Sequence, residues 1–223
     1  MIVVIGSPSV LPGDPGQRSR AAGRVFEVAL GASDGGSTVQ LVGKVGDDPA
    51  GDALILSLAD AGIGHVALLR DPARSTPVAA PPTDAEAEAF DDEDDPGAIP
   101  EPAAEAGPDD RPVLDAGDLD LALRYLPDHQ VVVVTERLVA DALEVVLADC
   151  AYVCATLVVI LEAGATAPEL PSSATAFEAP DSDPDGLFGR TVGGFAAGLD
   201  QGTGAAQALG RATTSAGWQP ASS

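Results

Sequence analysis

The stretch VQLVGKVGDDPAGDALILSLADAGI, residues 39–63, decides the fold. An apolar run leaves through Gly43 and Gly46, crosses the acidic pair Asp47–Asp48, and enters an amphipathic segment with Pro49 near its start and Gly62 at its end. The run and its glycine turn predict a strand over 38–48. Proline at the first helical position and glycine just past the last predict a helix over 49–63. Outward from this unit, IVVIG (2–6) has the unbroken apolar character of a buried parallel strand. In 19–32, Ala22, Val25, Phe26, Ala29 and Leu30 recur at helical spacing before Gly31, and HVALLRD (65–71) reads as a third strand. This β-α-β-α-β alternation argues for a parallel sheet with crossover helices, an α/β protein.

The alternation breaks near residue 80. Residues 81–118 hold fourteen acidic residues, much proline and alanine, and one aromatic residue. Such a composition buries too little surface to offset its ordering entropy, so the stretch is expected to be a mobile acidic insertion. A partner-binding acidic segment is the alternative, and a short strand is expected just before it, around Ser75–Ala80. Beyond it the patterns predict helices over 119–127 and 137–153 and strands over 130–136, 156–164 and 174–180. Two small-residue helices follow, over 191–202 and 204–218. The expected organisation is one α/β domain in two halves, 1–80 and 119–218, with the insertion between them and a tail over 219–223.

The net charge is −24, from 35 acidic and 11 basic residues, and Lys44 is the single lysine. A chain of this charge is repelled by nucleic acid and by anionic membranes, and no apolar run approaches the roughly 20 residues of a membrane span. Neither nucleic acid nor membrane is therefore expected as a partner. Scarce lysine, abundant Asp, Glu, Ala and Val, and 4% aromatic residues make up the composition of proteins adapted to high salt, where carboxylates keep the surface hydrated. Cys150 and Cys154 have no histidine at ligand spacing and read as small buried apolar residues, not a metal site. With no basic, signal-like start, these features give a cytoplasmic expectation.

Gly43, Lys44, Val45, Gly46, Asp47, Asp48, Gly51 and Gly62 follow the order strand–G-(K/R)-V-G-D-D-x-x-G–helix–G. In this the segment resembles the ribokinase-like (PfkB) carbohydrate and nucleoside kinases. VGGFAAGL (192–199) resembles the helix after that family's catalytic loop, and VVIGSPSV (3–10) its first strand. The resemblance implies a three-layer ribokinase-like fold, with a central, mostly parallel sheet flanked by helices and the lid reduced or replaced by the acidic segment. It also implies a transferase using ATP and Mg2+ to phosphorylate a sugar or nucleoside hydroxyl, and a possible homodimer through the lid. The chain is shorter than typical members: the strands after LVVIL, with the family's Asn/Glu metal and phosphate motif, are not evident.

The resemblance also locates three functional patterns, and this sequence departs from each. An Asn-x-Asp after the first strand, which holds sugar hydroxyls, falls on Ser9 and Leu11, with Asp14 a candidate substitute. A Gly-Gly-x-x-x-Asn at the first helix falls on Ala22, Gly23 and Glu27. The catalytic Asp-Thr-x-Gly-Ala-Gly-Asp places Gly186 at its first glycine, Leu187 at the alanine, Phe188 at the second glycine and Gly189 at the general base. Phe188 is expected to crowd the approaching phosphate. Candidate substrate contacts are thus Ser9, Asp14, Gly23, Glu27 and Lys44. Gly186, Gly189 and Arg190 form the candidate phosphate loop, Asp185 is the candidate substitute base, and no metal ligand is assigned. Three readings stay open: a catalytically degenerate kinase homologue, an active divergent kinase using Asp185, or a non-catalytic ligand-binding or interaction protein on the same fold. ATP and Mg2+ are expected cofactors only in the active case; a sugar, nucleoside or nucleotide is the expected small-molecule partner.

Overall fold

The structure, a computed structural model, describes residues 1–13, 17–79 and 111–215. These residues form strands β1 (Ile2–Ile5), β2 (Ser9–Leu11), β3 (Arg20–Ala22), β4 (Val39–Gly46), β5 (Gly64–Asp71), β6 (Val131–Val134), β7 (Thr156–Leu161) and β8 (Thr175–Glu178). The helices are α1 (Arg24–Asp34), α2 (Pro49–Asp60), α3 (Ala116–Arg124), α4 (Ala140–Val153), α5 (Leu187–Asp200) and α6 (Ala205–Ser215). Six strands pair in parallel in the order β5-β4-β1-β6-β7-β8, while β2 and β3 form a separate antiparallel pair.

The central strands are IVVI and VVVV, all β-branched and all buried, because both faces of the sheet are covered. Successive side chains alternate between faces. Ile2, Val4, Val131 and Val133 pack into the layer of α1, α2, α5 and α6; Val3, Ile5, Val132 and Val134 pack into that of α3 and α4. The result is a three-layer α/β/α sandwich around one sheet. Alanine, valine and leucine fill most of it, and Phe195 meets Phe177 edge-on at 5.1 Å.

The diagnostic stretch folds as its residues direct. Asp48 caps α2, its carboxylate accepting from Gly51 N at 2.7 Å, and it also accepts from Thr76 N and Thr76 Oγ1 at 2.8 and 2.7 Å. Burial pushes the Asp48 carboxyl up, but the hydrogen bonds from Thr76 and Gly51, with Arg70 nearby, outweigh this and hold it below its ordinary value. Arg70 binds the Gly46 carbonyl at 3.0 Å and pairs with Asp52. The acidic pair and its glycines therefore fasten the turn to α2 and to the loop after β5.

Four expectations are corrected. The first helix does not begin at residue 19: residues 20–22 pair with β2, and Gly23, at φ 91°, turns the chain into α1. The acidic stretch does not extend to 118 as an unstructured segment, since Leu114 is buried and Asp115 and Asp118 form a reciprocal capping box that starts α3 at Ala116. Around Ser75–Ala80 the described residues show only a single bridge, Val78 to Val10. Cys154 is exposed, because α4 ends there in a left-handed residue at φ 58°; Cys150 alone is buried, which pushes its thiol up to about 12. The expectation of a reduced or replaced lid, and most of the acidic stretch, lie outside the described residues.

Helices α1 and α5 touch through glycine. A Cβ added at Gly31 would fall 2.3 Å from the Arg190 carbonyl oxygen, and one at Gly193 would fall 2.1 Å from that of Val28. The small-residue character of α5 thus brings its backbone onto α1, and that contact sets the geometry of the site.

Candidate functional site

The sheet order reverses beside β1: the chain goes outward to β4 and β5, then crosses through α3 to β6 on the other side. In open parallel sheets ligands bind outside the carboxyl ends of the strands at such a point. There the carboxyl ends are tied together by side chains. Ser7 Oγ donates to Glu136 at 2.7 Å, and Arg24 donates to the Thr135 carbonyl at 3.3 Å and to Glu162 at 2.6 Å. The Arg24 hydrogen bond holds the Glu162 carboxyl below its ordinary value.

A cleft of about 700 Å3 opens between this region and the start of α5, lined by Gly23, Arg24, Glu27, Asp185, Gly186 and Arg190 among others. Four of the sequence-predicted positions from the loop and the first helix therefore meet here with Gly23. Leu11 lines the cleft as well. Ser9 lies against Gly23, its Oγ 3.0 Å from where a Cβ on that glycine would stand. Asp14 lies outside the described residues. Lys44 is elsewhere: its Nζ bonds Asp118 at 2.8 Å, and that bond raises its pKa while joining β4 to α3.

The amino end of α5 is the chemically informative part. Gly186 caps it in the left-handed conformation at φ 67°, a position suited to glycine. The first N–H groups of a helix form a ready anion seat. Here that seat is filled from within: the Asp183 carboxylate accepts from Phe188 N and from Gly189 N, both at 3.1 Å. The Phe188 side chain is 7% exposed and belongs to the core. The expectation that its ring crowds the phosphate is thus corrected, since the α-helical turn directs it inward and a carboxylate occupies the seat instead.

Gly189 faces α1. A Cβ added there would stand 2.8 Å from Glu27 Cβ, and one at Gly186 would stand 2.5 Å from Glu27 Cδ. The Glu27 side chain therefore lies across the turn, and its carboxylate accepts from Arg190 Nε at 2.8 Å. This hydrogen bond is the main reason the Arg190 pKa is raised. The cation expected to steady a phosphate is already paired. Asp185 sits exposed at the rim with no hydrogen bond or ion pair among the described residues.

Asp183 was missed as a functional position by sequence reasoning, which passed over it as one acid among many. The available signal was its spacing, three residues before Gly186, where the kinase catalytic motif has its first aspartate. The Ser7–Glu136 and Arg24–Glu162 contacts join residues more than a hundred positions apart and carry no local signal. Among the described residues no three His, Cys, Asp or Glu side chains converge to hold a metal ion. Asp183 thus lies on the opening N–H groups of α5, and the Glu27 side chain lies across the turn.

No family model matches the chain, and no curated protein sequence matches it. Solved structures do. A protein from E. coli provisionally identified as ribokinase II superposes with a TM-score of 0.63 at 13% identity, covering 96% of this chain and 91% of that one. A phosphofructokinase from Staphylococcus aureus, also provisionally identified, gives 0.59 at 13% identity, covering 97% and 90%. The chain spans about half, 53%, of an uncharacterized sugar kinase from Pyrococcus horikoshii, to which it is 16% identical. The first two likenesses establish the architecture: the protein has the ribokinase-like fold.

Proposed function

Starting from a ribokinase-like fold, we propose that this protein retains the scaffold of a sugar or nucleoside kinase and has lost phosphoryl transfer. The observation that carries the reading is Gly189, with no side chain, at the place of the general base, and the Glu27 side chain packed across the same turn. Transfer of a phosphoryl group relies on positioned donors and on a base within reach of the acceptor hydroxyl. The donors at this helix are engaged, Gly189 supplies no base, and Glu27 is committed to Arg190. Leu11, at the place of a hydroxyl-binding carboxylate, leaves a polyol without an acceptor there. Loss of a positioned base alone costs about 10²–10⁴-fold in rate. The E. coli relative was also solved with ATP and Mg2+, which makes that pair the ligand to test. A non-catalytic ligand-binding or interaction role on the same fold is the consequence of this reading.

One observation favours a second reading, an active divergent kinase: Asp185 lines the cleft without a partner among the described residues. Turnover of ATP with a panel of sugars and nucleosides in molar KCl separates the two. The degenerate reading expects no acceptor-dependent ADP formation and no thermal shift with ATP–Mg2+. Turnover that disappears in Asp185→Ala would establish the active reading instead.

A further inference from the structure

A second cavity, of about 450 Å3, opens at the carboxyl ends of β6 and β7, within the size range of small-molecule sites. It is distinct from the cleft. Arg24, which lines the cleft, reaches Thr135 and Glu162 and forms the partition; Glu162 stands on the cavity side. The body of the cavity is apolar, with Leu138, Leu143, Val159, Leu161 and Pro168 on its walls.

Its charges are unequally engaged. Glu162 is bound by Arg24, and Glu136 is turned toward β1, where it accepts from Ser7. Arg137, exposed on the same rim, has no hydrogen bond or ion pair among the described residues. Arg18, Arg20 and Arg211 likewise lack a carboxylate partner among the described residues, and what sets Arg137 apart is its place on the rim of this apolar cavity. The planar fork of its guanidinium matches a carboxylate in a two-point contact.

We propose that this cavity binds a small organic carboxylate with an apolar body, the body against Leu138, Leu143 and Leu161 and the carboxylate on Arg137. The site stands whether or not phosphoryl transfer persists, because it shares neither the α5 amino end nor Glu27.

Isothermal titration of the full chain with 4-phenylbutyrate, its neutral amide and the corresponding amine tests this. The acid is expected to bind saturably and the amide about tenfold more weakly, the scale of one hydrogen bond to a charged group. Arg137→Gln should reduce the acid to the level of the amide, and Leu143→Trp, which fills the cavity, should abolish binding of both. Equal binding of acid and amide, tighter binding of the amine, or no saturable binding by millimolar acid would overturn the proposal. So would unchanged binding in either variant. If circular dichroism shows Leu143→Trp to be unfolded, the acid–amide ratio and Arg137→Gln, an exposed substitution, decide the matter alone.

Discussion

Two strand–turn–helix units of this protein are built to one plan and have fared differently. In the first, β4 passes Gly46 and Asp48 into α2; in the second, β8 passes Asp183 and Gly186 into α5. Each helix has an aspartate on its opening N–H groups: Asp48 on Gly51, and Asp183 on Phe188 and Gly189. Asp48 is itself the cap and also gathers in Thr76, so its carboxylate is spent on holding chain to chain. On the reading proposed above, the second unit keeps its packing and the motif's first aspartate but not its base. Gly193 still admits α1, while the positions that the resemblance assigns to substrate and proton now carry Glu27 and Gly189. In α5 the packing positions and those the resemblance assigns to chemistry sit on different residues. In the turn before α2 the G-K-V-G-D-D motif is itself the fastening.

That contrast can be strained from its largest effect downward. Gly193→Val forces a side chain onto the Val28 carbonyl oxygen, and urea unfolding should show a loss of about 3 kcal/mol, the upper end for overpacking. A loss near zero would mean that α1 and α5 part easily and that the site geometry is soft. Asp48→Ala removes a cap and the anchor of Thr76 and is expected to cost about 2 kcal/mol.

The Asp48 contribution also has a pH signature. Its folded carboxyl lies below the ordinary value of 3.8, so its stabilisation is complete above that pH and is lost as pH falls through the folded value. Equilibrium unfolding from pH 7 to pH 2 should accordingly show a smaller gap between wild type and Asp48→Ala at the acid end. A gap that widens with acid contradicts the assignment.

Asp183→Ala should cost less, about 1 kcal/mol, since Asp183 holds two helix N–H groups and no further loop. If it proved more damaging than Asp48→Ala, the second turn would be the firmer of the two. The smallest difference between the units is expected from salt. A net charge of −24 repels itself throughout the molecule, so molar KCl should raise the melting temperature of wild type and of both aspartate variants by similar amounts. A wild-type melting temperature independent of KCl would remove the reading of the acidic surface as adaptation to high salt.

Much of this was legible in the residues. The run at 39–63 announced its strand, cap and helix because each signal there is local: an apolar run, Asp48 and Pro49 at the helix start, Gly62 at its end. The short pairing of β2 with β3 was not, since three-residue strands lack a period and RAA continues the helical spacing of α1. The site was half legible. Gly23, Glu27, Gly186 and Arg190 could be collected from motif spacing, but which carboxylate fills which position depends on the approach of α5 to α1. Lys44 drew notice as the single lysine, and its partner Asp118 lies in another helix, 74 residues away.

The account rests on the absence of phosphoryl transfer at the amino end of α5, and a single-turnover experiment reaches it most directly. With protein in excess over radiolabelled ATP, Mg2+ and a pooled set of sugars and nucleosides in molar KCl, the label should stay on ATP. Label appearing on an acceptor, and vanishing in Asp185→Ala or Glu27→Gln, would contradict the account and name the base.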